Sequence, residues 1–208
     1  MSPETASSSP GLSPADRRLY LITPFRPDLE ELLAAAVRGG VDVVQLRDKD
    51  VADGELLRRA EIARAVTRAL GVPLVVNDRS DLAVLAGAEA VHLGQEDLPV
   101  PAARRLGLAV GLSTHAPEEI DRAEADYIGV GPVFATPTKP GRPGTGLDLV
   151  RYAAANARVP WFAIGGIDSS NVDAVVAAGA RRIAVVRAIG EAADPELAAR
   201  ELRAALPS

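Results

Sequence analysis

From Arg17 onward, short apolar runs alternate with segments of helical period along the chain. Runs with strand character fall at 19–23, 41–46, 73–77, 90–93, 109–113, 127–130, 161–164 and 183–186. Near-continuous apolar character is what parallel strands need when both faces are covered. Between the runs, Leu29, Leu32, Leu33, Ala36 and Val37 share one helix face, and Leu56, Ala60, Ala63, Val66 and Leu70 share another. Asp28 with Glu31 reads as a capping box, and Gly39 as a left-handed stop. Asp194 before Pro195 reads as the N-cap and first residue of the last helix.

A weak repeat supports this division. The strings RGGVDVV, LAGAEAV, AEADYIG and AAGARRI each join a helix end, small residues and the start of a strand. Strand–helix alternation with short links implies parallel pairing, because each crossover needs a helix. Eight such units predict a closed (β/α)8 barrel, the TIM-barrel class of α/β folds. A doubly wound open sheet is the alternative, but Gly129-Val-Gly131 lacks the third glycine of a dinucleotide fingerprint. Neither a Walker-A loop nor a G-x-S-x-G elbow is present.

Composition narrows the function classes. With 208 residues and 48 % apolar positions, the chain suits one large core. Residues 1–16 are rich in Ser and Pro and lack the apolar centre of a signal peptide, so they read as a disordered tail. Residues 17–208 then form a single catalytic domain of a cytoplasmic protein. A net charge of −5 argues against nucleic acid or an anionic membrane as partner. No apolar stretch approaches the roughly 20 residues of a membrane span. The absence of cysteine excludes disulfides, a thiolate nucleophile and thiol-bound metals, and two histidines exclude a His-rich metal site. Assembly into a homo-oligomer is compatible with all of this.

In such a barrel the active site lies at the C-terminal ends of the strands. After the second run, Gln45, Arg47 and Lys49 alternate and so share one side, suggesting an anionic substrate; Gln45 sits within an apolar run, where an unpartnered amide is costly. After the third, Ser80 or Asp81 can cap the next helix, which leaves Asp78 without a structural task. After the fourth comes Asp97, and two carboxylates from neighbouring strand ends suit magnesium. The Gly/Pro-rich segment GPVFATPTKPGRPGTG carries Thr136, Thr138, Lys139 and Arg142 and reads as a lid gripping phosphate. Gly165-Gly166 and Val186-Arg187 open the loops where barrels commonly bind a phosphate. His92, between Val91 and Leu93, reads as a satisfied core histidine; His115 follows the fifth run and carries no catalytic assignment.

The strings VVQLRDK, VVNDRSDLA, VHLGQEDLP, YIGVGPVFATPTKPG, AIGGI and VVRAI, in this order and spacing, resemble the thiamine phosphate synthase family over Leu19 to Ile189. The resemblance implies a transferase with two phosphorylated small-molecule substrates. It would join 4-amino-2-methyl-5-hydroxymethylpyrimidine diphosphate to 4-methyl-5-hydroxyethylthiazole phosphate, releasing pyrophosphate, with Mg2+ as cofactor. It further implies that Gln45, Arg47, Lys49, Asn77, Ser113 and Lys139 meet the pyrimidine diphosphate, and that Asp78 and Asp97 hold the metal. Thr136, Pro137, Thr138, Gly166, Val186 and Arg187 would meet the thiazole phosphate, with Arg187 standing where the family often has Ser. Lys139, Arg47, Lys49 and Ser113 would carry the chemistry, a dissociative substitution that needs charge stabilisation and positioning, not a protein nucleophile. A thiazole tautomerase-like isomerase, a catalytically silent regulatory barrel and a sugar-phosphate epimerase or lyase are the rival readings. None of them asks for the paired aspartates together with QLRDK and the T-P-T-K segment.

Overall fold

The computed structural model describes residues 12–135 and 144–207. Eight strands close in chain order: β1 (Leu19–Thr23), β2 (Val43–Leu46), β3 (Leu74–Asn77), β4 (Ala90–Leu93), β5 (Ala109–Thr114), β6 (Tyr127–Val130), β7 (Trp161–Ile164) and β8 (Ile183–Val185). Every pairing is parallel, and β8 returns to β1 with Ile183 opposite Leu19 and Val185 opposite Leu21. The helices are α1 (Leu29–Arg38), α2 (Asp53–Ala69), α3 (Ser80–Leu85), α4 (Val100–Arg104), α5 (Pro117–Asp121), α6 (Gly146–Asn156), α7 (Val172–Ala177), α8 (Arg187–Gly190) and α9 (Pro195–Ala205). This is the (β/α)8 barrel expected from the sequence. Among the described residues, no helix is long and apolar enough to cross a membrane.

Two apolar clusters follow from the period-two alternation of strand side chains. Leu19, Leu21, Val44, Leu46, Leu74, Val76, Val91 and Leu93 point outward and meet the helices. Tyr20, Ile22, Val43, Val75, Ala90, Tyr127, Phe162 and Ala184 point inward and fill the barrel. Tyr20, Tyr127 and Phe162 form a three-ring core of edge-on contacts, with centroids 5.3 to 6.1 Å apart. Gly111 makes room for it: a Cβ there would stand 2.2 Å from Tyr127 Cζ and 2.6 Å from His92 Nδ1.

The repeated strings acquire a physical meaning at the opposite, N-terminal end of the barrel. Asp42, Glu89 and Asp126, each just before an even-numbered strand, accept backbone N–H groups at the start of the preceding odd strand. Asp42 takes Arg18 and Leu19, Glu89 takes Leu74, and Asp126 takes Val110. The fourth repeat has Arg181 in place of the acidic residue, and the guanidinium of the following Arg182 donates to the Ala15 carbonyl.

Several local expectations differ from the structure. Val41 is drawn into the turn after α1 by its N–H bond to Ala36 O, so β2 begins two residues later than expected. Pro73 lies outside β3 although its carbonyl accepts from Val44 N, because proline has no N–H to donate. Val186 leaves the strand to precede α8, whereas β5 extends to Thr114. Gly39 is right-handed, and the left-handed residue is Gly40, at φ +112°. Asp28 occupies the N-cap of α1 but spends its carboxylate on Arg26. Ser80 and Asp81 lie inside the first turn of α3 and do not cap it. Asp194 is a cap, accepting from Leu197 N. Within the segment read as a tail, Pro14–Asp16 forms a 3-10 turn, and Leu12 packs under the inner cluster.

Candidate active site

At the C-terminal ends of the strands a cavity of about 450 Å³ opens. One side is formed by β2 to β5. Gln45 is buried in β2, and Arg47 and Lys49 follow it towards the mouth, as their alternation predicts. Asn77 ends β3, and Ser113 lies in β5. The facing side is built from Gly166, Val186 and Arg187. Thr136, Pro137, Thr138, Lys139 and Arg142 lie outside the described residues.

Asp78 is set by backbone geometry. It adopts φ +62°, a left-handed conformation that aspartate tolerates better than most residues. Its N–H donates to His92 O at 2.8 Å, tying the end of β3 to β4. Arg79 turns away to the surface, where it pairs with Asp53 and Asp81. The Asp78 carboxylate therefore faces the mouth, 3.4 Å from Lys49 Nζ and against Asp97. Burial and the neighbouring Asp97 charge push its pKa above the ordinary carboxylate range, and Lys49 offsets this only in part. Asp97 folds back over a tight turn in which Gly94 N–H donates to Oδ2 at 2.6 Å. Gln95 Nε2 donates to Ser113 O at 2.7 Å, which fixes this loop to β5.

Two carboxylates pressed together, one raised in pKa and neither bonded to an arginine, form a hard-oxygen donor set that a divalent cation would relieve. Among the described residues no group of three or more His, Asp or Glu side chains could hold a metal. Such a set fits a Mg2+ ion that also binds substrate oxygens and water, since Mg2+ is usually held by one or two carboxylates plus phosphate.

On the facing side, Gly165 and Gly166 adopt φ +105° and +64°. A Cβ at Gly166 would stand 2.8 Å from Phe134 Cβ, so only glycine lets this loop press against the loop after β6. Phe134 N–H donates to Gly165 O, and Asn171 Nδ2 donates to Gly166 O. The helix beyond this loop begins at Val172, with Asp168 and Asn171 organising the intervening turn. Val186 and Arg187 enter α8, whose first N–H groups have no partner within the helix.

One site residue was hidden in the sequence. His92 is satisfied, as expected, with Nδ1 3.3 Å from Tyr127 Oη and Nε2 3.0 Å from Ser113 Oγ, but it also lines the cavity. The signal was its register: Val91 and Leu93 face the helices, so His92 faces the interior. His115 also lines the cavity, with Nδ1 bonded to Gly131 O and its backbone N–H to Glu119.

Comparison with known proteins shows the family and the fold. The family model "Thiamine monophosphate synthase" matches residues 19–189. A thiamine-phosphate synthase of Thermus thermophilus is 55 % identical over 196 residues, spanning 89 % of this chain and 95 % of the relative. One from an Arthrobacter species is 49 % identical, spanning 92 % and 94 %. The solved thiamine phosphate pyrophosphorylase of Pyrococcus furiosus superposes with a TM-score of 0.81 at 33 % identity, over 90 % of this chain and 94 % of that one. A 3-hexulose-6-phosphate synthase shares the fold at 24 % identity and a TM-score of 0.69. The chain belongs to the thiamine monophosphate synthase family.

Proposed function

We propose that this transferase of thiamine biosynthesis condenses the diphosphate of 4-amino-2-methyl-5-hydroxymethylpyrimidine with 4-methyl-5-hydroxyethylthiazole phosphate, giving thiamine phosphate and pyrophosphate. The observation that supports the reading most is the gathering of Gln45, Arg47, Lys49, Asn77, Asp78, Asp97 and Ser113, spread over four strand ends, around one cavity that faces Gly166 and Val186. An acidic carboxylate pair beside two cations suits a metal-bound diphosphate, and the opposite glycine loop suits a monophosphate.

In this reading Gln45 and Asn77 orient the pyrimidine, while Arg47, Lys49 and Ser113 hold the diphosphate. Asp78 and Asp97 would hold Mg2+, which when bound supplies positive charge to the leaving pyrophosphate. The bond between the pyrimidine methylene carbon and the diphosphate oxygen breaks first, and its electron pair leaves with pyrophosphate. Arg47 and Lys49 stabilise that growing charge more in the transition state than in the ground state. The thiazole nitrogen then gives its lone pair to the methylene carbon. Backbone N–H groups at Gly166, Val186 and Arg187 anchor the thiazole phosphate, with Thr136, Pro137 and Thr138 assigned there by resemblance and Lys139 to the pyrophosphate. If the contact at Arg187 is made by backbone, the departure from Ser leaves it intact.

The test is pyrophosphate release by the full chain with both substrates, with and without magnesium. Release that requires both substrates and the metal is expected. Isomerisation of the thiazole alone, or no turnover with both substrates present, would overturn the proposal.

A further inference from the structure

Beneath the cavity, five side chains from five strands form a continuous line of hydrogen bonds. Gln45 Nε2 donates to Tyr20 Oη at 2.6 Å, and the Tyr20 and Tyr127 hydroxyls lie 3.1 Å apart. Tyr127 Oη is 3.3 Å from His92 Nδ1, and His92 Nε2 is 3.0 Å from Ser113 Oγ. Both ends, Gln45 and Ser113, line the cavity, while the two tyrosines are fully buried below it.

The donor–acceptor inventory gives this line a direction. An amide nitrogen only donates, so the Tyr20 oxygen receives from Gln45 and the Tyr20 proton goes to Tyr127. The Tyr127 proton then goes to His92 Nδ1, which must be the bare nitrogen of a neutral imidazole. The imidazole proton therefore sits on Nε2 and is given to Ser113 Oγ. The serine proton is left to point into the cavity. At the other end, with Nε2 committed, Gln45 presents its carbonyl oxygen. The opposite direction between the tyrosines would make Tyr20 accept twice and strand its own proton in the core, at a cost of about 1–3 kcal/mol. Burial raises the pKa of both phenols, so neither ionises and breaks the line.

We infer that Tyr20, Tyr127 and His92 are positioning residues: they form a polarised relay that fixes Ser113 as a hydrogen-bond donor and Gln45 as an acceptor toward one bound molecule. The ligand chemistry this selects is an N–H group at the Gln45 end and an anionic oxygen at the Ser113 end. The inference deepens the proposed function, on which it rests for the identity of the ligand, since an aminopyrimidine diphosphate carries both features. The relay itself follows from the line of hydrogen bonds.

Two measurements test it. The first is a kinetic cycle with Tyr127→Phe, Ser113→Ala and the double variant. Tyr127→Phe is expected to lower kcat about tenfold, near the net worth of one hydrogen bond, with a smaller change in KM. The double variant should then be slower than Ser113→Ala alone by clearly less than that tenfold factor, because the part of the phenol's effect that passes through the serine is already lost and only the part that passes through Tyr20 to Gln45 remains. Tyr127 and Ser113 make no direct bond, so a merely structural tyrosine would give multiplicative effects, and that result would overturn the relay. If Tyr127→Phe does not fold, Tyr20→Phe cuts the next link and enters the same cycle. The second is nitrogen NMR of histidine-labelled protein at about pH 8, where imidazole is neutral. His92, assigned by its loss in His92→Gln, is expected as the Nε2–H tautomer in the wild type and as a tautomer mixture in Tyr127→Phe. An Nδ1–H tautomer in the wild type would overturn the relay. This readout needs no turnover: an inactive wild type with an Nε2–H His92 would remove the proposed function and leave the relay standing.

Discussion

Glu89→Ala is the substitution whose cost the structure defines most sharply. Glu89 and Arg64 form an ion pair at 2.7 Å with side chains only 7 % and 10 % exposed. The other Glu89 oxygen accepts Leu74 N–H at 2.9 Å, and Arg64 Nε donates to Gly87 O at 2.7 Å. Alanine therefore takes the carboxylate from a buried guanidinium and the acceptor from the first N–H of β3. Removing one member of a buried pair costs about 3–5 kcal/mol, a large share of a typical total of about 5–15 kcal/mol. For a chain of this size each kcal/mol moves Tm by about 2–4 °C, so a drop of about 6–20 °C is expected. Urea unfolding followed by circular dichroism, with calorimetry, measures both quantities. The double variant Arg64→Met/Glu89→Gln removes both charges and keeps an oxygen for Leu74 N–H, so it should recover more than half of the loss. Asp126→Ala, at a position 37 % exposed, should cost only about 1 kcal/mol. A Glu89→Ala protein within about 0.5 kcal/mol of wild type would refute the reasoning, because that is the range of an ordinary surface change.

Gly111→Ala forces a Cβ to 2.2 Å from Tyr127 Cζ and should cost about 1–3 kcal/mol or more in the same unfolding assay. Gly54→Ala, with nothing within 4 Å, should be neutral or stabilising by up to about 1 kcal/mol. Asp97→Asn should reduce magnesium-dependent turnover by about a hundredfold or more, the scale of losing one preorganised electrostatic group, and calorimetric titration with magnesium and pyrophosphate should show weakened metal binding. Asp78→Asn should lose turnover similarly while Tm stays equal or rises, because a repelling carboxylate pair is removed. Gly166→Ala places a side chain at φ +64° against Phe134, and should raise KM for the thiazole phosphate more than KM for the pyrimidine diphosphate.

The barrel was readable because strands covered on both faces write themselves as apolar runs, and the limits of β1, β4, β6 and β7 coincide with those runs. Helix starts were less readable. Asp28 has the right chemistry for a cap, but Arg26 two residues away competes for its carboxylate, and local sequence does not rank the two partners. The residues at the strand ends, from Gln45 to Arg187, could be located once the strands were counted, since the fold brings strand ends together. The floor beneath them was not legible. Tyr20, His92 and Tyr127 are far apart in the chain, and each reads alone as one more core residue. Their meeting depends on registers across the barrel, such as Asn77 opposite His92 and Gly111 opposite Tyr127. The repeated strings gave the reverse case: RGGVDVV, LAGAEAV and AEADYIG were visible as a pattern, but only the fold reveals that their acidic residues, Asp42, Glu89 and Asp126, serve the strand before, not the strand they introduce.

The seam between β1 and β8 sets the order in which the chain can complete itself during synthesis. Every other strand pairs with its immediate successor, whereas Leu19 must wait for Ile183. A chain in which only the first seven strands had formed would be an open sheet whose first edge, Leu19–Thr23, lacks its partner. The final closure brings β8 to that edge and α9 onto α1, where Gly39 leaves no room for a Cβ beside Ala199. A nascent chain halted before Ile183 should therefore be protease-sensitive and prone to edge-to-edge association, and resistance should arrive in one step once α9 has emerged.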